Sequence, residues 1–151
     1  MAQVDGDSNL DKGRVLDQEQ KDKIYTAARH DDLDTLEKMN SSGVIVTNNL
    51  VNGTALHVAA ACGNTSVVSA LLNWEVDVDA VDCEGYTALH YAAKCGYVDI
   101  VEALLRYSAN IDMKENWGRT AFQLAVQNYR SDVVHYFVHN TAVDPSQYSQ
   151  V

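Results

Sequence analysis

The seven residues Thr54-Ala55-Leu56-His57-Val58-Ala59-Ala60 return 33 residues later as Thr87-Ala88-Leu89-His90-Tyr91-Ala92-Ala93, and after another 33 as Thr120-Ala121-Phe122-Gln123-Leu124-Ala125-Val126. A fixed period of this length confines the chain to a tandem array of like units. Each block follows a glycine (Gly53, Gly85, Gly118) and leads into an apolar run: Val67-Val68 with Ala70-Leu71-Leu72, Ile100-Val101 with Ala103-Leu104-Leu105, and Val133-Val134 with Tyr136-Phe137-Val138. An earlier, fainter copy exists. Ile24-Tyr25-Thr26-Ala27-Ala28 aligns with Leu56 to Ala60 at an offset of 32, because the second unit lacks the residue that Tyr86 and Arg119 supply in the later ones.

Each part of the block has a physical role. The threonine hydroxyl can accept from a backbone amide three residues on and so start a helix at a fixed angle. Leu56, Ala59 and Ala60 share one helical face, and the small alanines let a second helix approach closely. The preceding glycines supply the positive φ of a turn. A unit of this kind is apolar on both flat sides, so it has to stack, and its core then runs on from unit to unit.

A β-turn followed by two antiparallel helices, repeated at this period, resembles the ankyrin-repeat family over about residues 20 to 144. The resemblance implies an all-α solenoid of four helix-turn-helix repeats joined by β-turn fingers, at about 20–52, 53–84, 85–117 and 118–144. The repeat domain then spans 17–144, between a flexible N-terminal tail (1–16, rich in Asp and Gly) and a C-terminal tail (145–151). The second helix of the first repeat, around Leu33, Leu36 and Met39, carries Glu37 and Lys38 and reads as a solvent-facing end. Tyr129 stands where the middle repeats have Gly63 and Gly96, and Tyr136 where they have Ala70 and Ala103, so no fifth repeat is expected to pack there. Glu75, Ser108 and Thr141 replace the glycine that ends the second helix, where Gly43 fits the pattern. A left-handed conformation there costs about 1 kcal/mol each.

The chain is 46% hydrophobic, as in globular proteins, and contains no apolar stretch of the roughly 18 residues a membrane span needs. Neither a secretory leader nor membrane insertion is expected, which points to the cytosol or nucleus. Cys62 and Cys95 share one repeat position, with His30 in the same column. Stacked helices lie roughly 8–10 Å apart, beyond the reach of about 7 Å that a disulfide allows and that shared zinc ligands would need to undercut. Free thiols are expected, with no metal and no cofactor. Asn52-Gly53-Thr54 and Asn64-Thr65-Ser66 match glycosylation acceptors, which carry no meaning in a cytosolic chain. The formal net charge is −10, and residues 41 to 85 hold Glu75, Asp77, Asp79, Asp82 and Glu84 with no Lys or Arg. This disfavours nucleic acid, whose phosphates need basic partners. The acidic stretch either steers a basic protein or keeps the array soluble.

Catalysis is not expected. His57 and His90 recur with the period and so serve the repeat; in the family this histidine bridges the backbones of neighbouring turns, and Gln123 can still hydrogen bond in its place. No nucleophile recurs beside them, and phosphate loops and paired-cysteine motifs are lacking. The resemblance implies instead a monomeric module that binds another protein through the concave face made by the turn tips and first helices. On this chain the tip positions are Val51 and Asn52, then Asp82, Cys83, Glu84 and Tyr86, then Asn116, Trp117 and Arg119. The helix positions are Arg29 and His30, Ala61 and Cys62, Lys94 and Cys95, Gln127 and Asn128. Tyr86, Trp117 and Arg119 are the best anchors, being of the types enriched in binding hot spots. Trp74 lies after a second helix, on the side away from that groove. An adaptor or scaffold is the first functional reading. The four-repeat form and Trp117-Gly118-Arg119 are also similar to ankyrin-type inhibitors of cyclin-dependent kinases. Leu16-Asp17-Gln18-Glu19-Gln20, Leu33-Asp34 and Tyr136-Phe137 resemble small acidic ankyrin chaperones of basic ribosomal proteins. The terminal Ser149-Gln150-Val151 has the form that PDZ domains accept at a sheet edge.

Overall fold

The computed structural model describes residues 16–44, 53–143 and 146 of the 151-residue chain. Among them are eight helices and no strand pairing into a sheet: α1 (Gln18–Arg29), α2 (Leu33–Ser41), α3 (Ala55–Cys62), α4 (Thr65–Asn73), α5 (Ala88–Cys95), α6 (Val98–Arg106), α7 (Ala121–Gln127) and α8 (Ser131–Asn140). They pair in order. The first members, α1, α3, α5 and α7, pack side by side in one layer, and the second members, α2, α4, α6 and α8, form the other. This is the all-α repeat array that the period implies. Of the flexible tail expected over residues 1–16, residues 1–15 lie outside the described residues, as do Val51, Asn52 and the terminal Ser149-Gln150-Val151 motif. Leu16, assigned to the tail by the sequence reading, is instead 5% exposed and packs on the core.

The inner helices start where the threonines stand. The hydroxyls of Thr87 and Thr120 accept from the amides of His90 and Gln123, each at 3.3 Å. Asp17 does the same for α1, its Oδ1 accepting from Gln20 N at 2.8 Å while Gln20 Oε1 accepts from Asp17 N at 3.2 Å. Capping of this kind is worth about 1 kcal/mol per helix. The helices end with help from the next repeat. Asn64 Nδ2 donates to the carbonyls of Ala28 and Arg29 at 2.6 and 2.9 Å, and Arg130 Nε donates to that of Lys94 at 2.9 Å. Carbonyls that a helix C-terminus leaves without partners are thus satisfied across the repeat boundary.

Stacking is close because the facing residues are small. Ala59, Ala60, Ala92, Ala93 and Ala125 are fully buried, with Leu56, Leu89, Leu71, Ile100, Leu104 and Val133 forming the continuous core around them. Phe122 and Phe137 close it at the C-terminal end, their rings meeting edge to face at 5.9 Å. Gly63 shows how tight the boundary is. It sits at φ 76°, and a β-carbon there would lie 2.8 Å from the ring of Tyr97 in the next repeat. Tyr129, at the matching place in the last repeat, adopts φ 58° and is 91% exposed, so its side chain fills the space a following repeat would need. Glu75 and Ser108 take the left-handed conformation expected of them, with φ 58° and 66°. Thr141 does not: it is extended at φ −134°, and its hydroxyl donates to the Phe137 carbonyl at 2.6 Å. The last helix therefore ends by a side-chain bond in place of a left-handed turn.

Candidate functional site

Two described fingers project from the array, one between α4 and α5 and one between α6 and α7. Each is shaped by a carboxylate. Asp82 Oδ1 accepts from the amides of Glu84 and Tyr86, both at 2.9 Å. One period later Glu115 Oε1 accepts from Trp117 N at 3.1 Å and Arg119 N at 2.7 Å. The fingers also bind each other: Asn116 N donates to the Glu84 carbonyl at 3.0 Å and Asn116 Nδ2 to that of Cys83 at 3.2 Å. A β-carbon on Gly85 would come within 2.6 Å of Asn116 Oδ1, so this contact depends on the glycine. Glu84, Cys83 and Asn116 themselves are exposed at the tips.

The three expected anchors turn out to differ in kind. Trp117 is 65% exposed, with the Arg119 guanidinium 5.8 Å from its ring. Arg119 is largely committed to the fold: its Nη2 donates to Glu115 Oε2 at 2.9 Å and to the Tyr86 hydroxyl at 3.2 Å, and its Nη1 to Gln127 Oε1 at 3.2 Å. Tyr86 is only 5% exposed. The expectation of Tyr86 as a surface anchor is corrected here, because its ring stacks on Tyr91 at 5.1 Å and meets His90 edge on. It acts as a platform, with Lys94 Nζ lying 5.6 Å from its centre. Thus the structure brings Tyr86, Lys94, Glu115, Arg119 and Gln127 into one network and leaves Trp117 standing above it.

Sequence reasoning passed over Glu115, whose side chain is closed to solvent in its ion pair with Arg119. The acid recurring at 82 and 115 was the available signal. The Arg119 contact holds the Glu115 carboxyl below the usual carboxylate range. It also missed Tyr25 and Tyr91. With Arg29, Val58, Ala61 and Cys62 they line a groove of about 180 Å³ across the inner helices. The Tyr91 hydroxyl donates to Asp82 Oδ2, and burial together with that carboxylate raises its pKa.

His57 and His90 do what the period implies. His57 Nδ1 accepts from Thr54 N at 3.0 Å, which leaves Nε2 as the donor to the Tyr86 carbonyl at 2.8 Å. His90 repeats this with Thr87 N at 3.1 Å and the Arg119 carbonyl at 3.1 Å. Both nitrogens of each ring are thus spent on backbone, and burial holds both imidazoles below their ordinary pKa. Gln123 keeps half of the device, its Oε1 accepting from Thr120 N at 2.9 Å. Cys62, Cys83 and Cys95 stand as free thiols. Among the described residues no three metal-ligating side chains converge, and no helix is long and apolar enough to cross a membrane.

A family model described as ankyrin repeats (three copies) matches residues 24–115 and again residues 76–149. Between them the two overlapping matches take in all four helix pairs except the first turns of α1. No curated protein matches the chain.

Proposed function

The chain belongs to the ankyrin-repeat family, whose repeats are protein–protein interaction modules, and on that premise we propose that it is a non-enzymatic adaptor or scaffold of the cytosol or nucleus that engages one protein partner across its concave face. The observation that carries this reading is Trp117, 65% exposed on a finger that is otherwise cross-braced. An aromatic side chain held out on a rigid support loses little entropy on binding and fits the profile of a hot spot. The supporting network of Glu115, Arg119, Tyr86 and Gln127 fixes its position before any partner arrives. The commitment of His57 and His90 to backbone bonds supports a binding role over catalysis. Escort of a basic protein gains less support, because the cations Arg29 and Lys94 lie on this face. Affinity capture with the full chain, compared with Trp117→Ala, tests the proposal. The partner is expected to be lost with Trp117→Ala, by about 2 kcal/mol of binding free energy or more, while the thermal melt stays unchanged. Equal recovery by both proteins would contradict it.

A further inference from the structure

The chain is strongly acidic, yet its charge is not spread evenly over the two layers. Helices α3, α5 and α7 contain no Asp or Glu. The fourth inner helix, α1, carries Glu19, paired with Lys23, and Asp22 in its N-terminal half; the other carboxylates sit elsewhere, Asp34, Glu37, Asp99, Glu102 and Asp132 on the outer helices, and Glu75, Asp77, Asp79 and Asp112 in the connections. Two acids of the fingers do face the inner layer, but their oxygens are spent. Asp82 accepts from two amides and the Tyr91 hydroxyl, and Glu115 from two amides and Arg119. Glu84 is the exposed exception at the tip.

Two cations of the same layer are in the opposite condition. Arg29 and Lys94 occupy one repeat position, two repeats apart, with Ala61 at that position between them. Both are exposed, and neither forms an ion pair with any described residue. Arg29 is limited to a 3.4 Å contact with the Tyr25 hydroxyl, and Lys94 lies over the Tyr86 ring. Arg29 lines the groove of about 180 Å³ with Tyr25, Val58, Ala61 and Tyr91, and Lys94 lies outside that lining, three residues beyond Tyr91 on α5. Building on the concave-face reading above, we propose that this groove takes an extended acidic segment of the partner protein. One apolar side chain sits over Ala61, and carboxylates on either side reach Arg29 and Lys94. Two inter-repeat steps of about 10 Å make a span of about 20 Å, which an extended chain covers in about six residues. The two acids therefore lie about six positions apart. Charged groups left unpaired in a shaped groove select by complementarity and set the approach of the partner.

The whole-molecule charge makes this inference easy to contradict, since a field of net −10 by itself attracts basic peptides. The probe is a displayed library of random dodecapeptides, panned on the full chain and on the Arg29→Glu/Lys94→Glu variant, with melts confirming that both are folded. The native chain is expected to select peptides rich in Asp and Glu spaced about six apart around an apolar residue. Their binding should fall at least tenfold in the charge-reversed variant and in Ala61→Trp, which fills the groove without adding charge. Selected peptides that are neutral or basic but are still blocked by Ala61→Trp would overturn the acidic specificity and leave the concave face standing as the docking surface. Acidic peptides indifferent to Ala61→Trp and to the charge reversal would overturn both. Absence of any selected sequence would overturn the proposal of a peptide groove.

Discussion

A histidine whose two nitrogens both serve backbone groups has no capacity left for a proton. His57 and His90 are buried, at 3% and 1% exposure, and both are held below their ordinary pKa by that burial. The unfolded chain binds protons at these sites more readily than the folded one. Their contribution is intact above the unfolded value of about 6.5 and is lost as pH falls below it, at up to about 1.4 kcal/mol per pH unit for each ring. Thermal melts taken from about pH 7.5 down to 5.5 should show this slope. It should flatten in His57→Gln/His90→Gln, since Gln123 already fills the position in the last repeat. An unaltered slope would place the sensitivity elsewhere. Glu115 belongs to the same scale. Removing the carboxylate in Glu115→Ala leaves two finger amides without their acceptor and the Arg119 guanidinium without its ion-pair partner and should cost about 2–3 kcal/mol, read from the denaturation midpoint. The histidines were legible because they recur. Glu115 was less so, because an acid in a loop reads first as a solvated charge, and only its register with Asp82 gives it away.

At the scale of elements, the period carried nearly everything: eight helices, their pairing and their facing alanines follow from one repeated block. Leu104 is fully buried in α6, and Leu104→Ala should cost about 2–5 kcal/mol through the cavity it leaves. An unshifted midpoint would contradict the stacking. The helix ends are a finer test. Glu75→Gly and Ser108→Gly should each raise stability by up to about 1 kcal/mol by relieving a left-handed side-chain residue. Thr141→Gly should lower it instead, because Thr141 is extended and its hydroxyl caps Phe137. The sequence misassigns Thr141 because register alone cannot tell whether a chain leaving a helix turns toward another finger.

Across the whole molecule, the fold was legible and the binding face only partly so. Periodicity places Trp117, Lys94 and Gln127 on one side, but it cannot say which aromatic ring lies inside. Tyr86 and Trp117 sit in adjacent tips, one buried beneath Arg119 and the other 65% exposed beside it, and that difference arises from packing between repeats. Net charge misled in the same way: the acidic total concealed three inner helices, α3, α5 and α7, that carry no carboxylate, and two unpaired cations, Arg29 and Lys94, on that layer. The central claim is that a protein partner lies across this concave layer. Site-specific photo-crosslinking tests it most directly, with p-benzoylphenylalanine replacing Trp117 in one full-length protein. In a second it replaces Tyr107, which is 45% exposed at the end of an outer helix. A discrete protein adduct is expected from position 117 and none from position 107; adducts from 107 alone, or equally from both, would contradict binding across the concave layer.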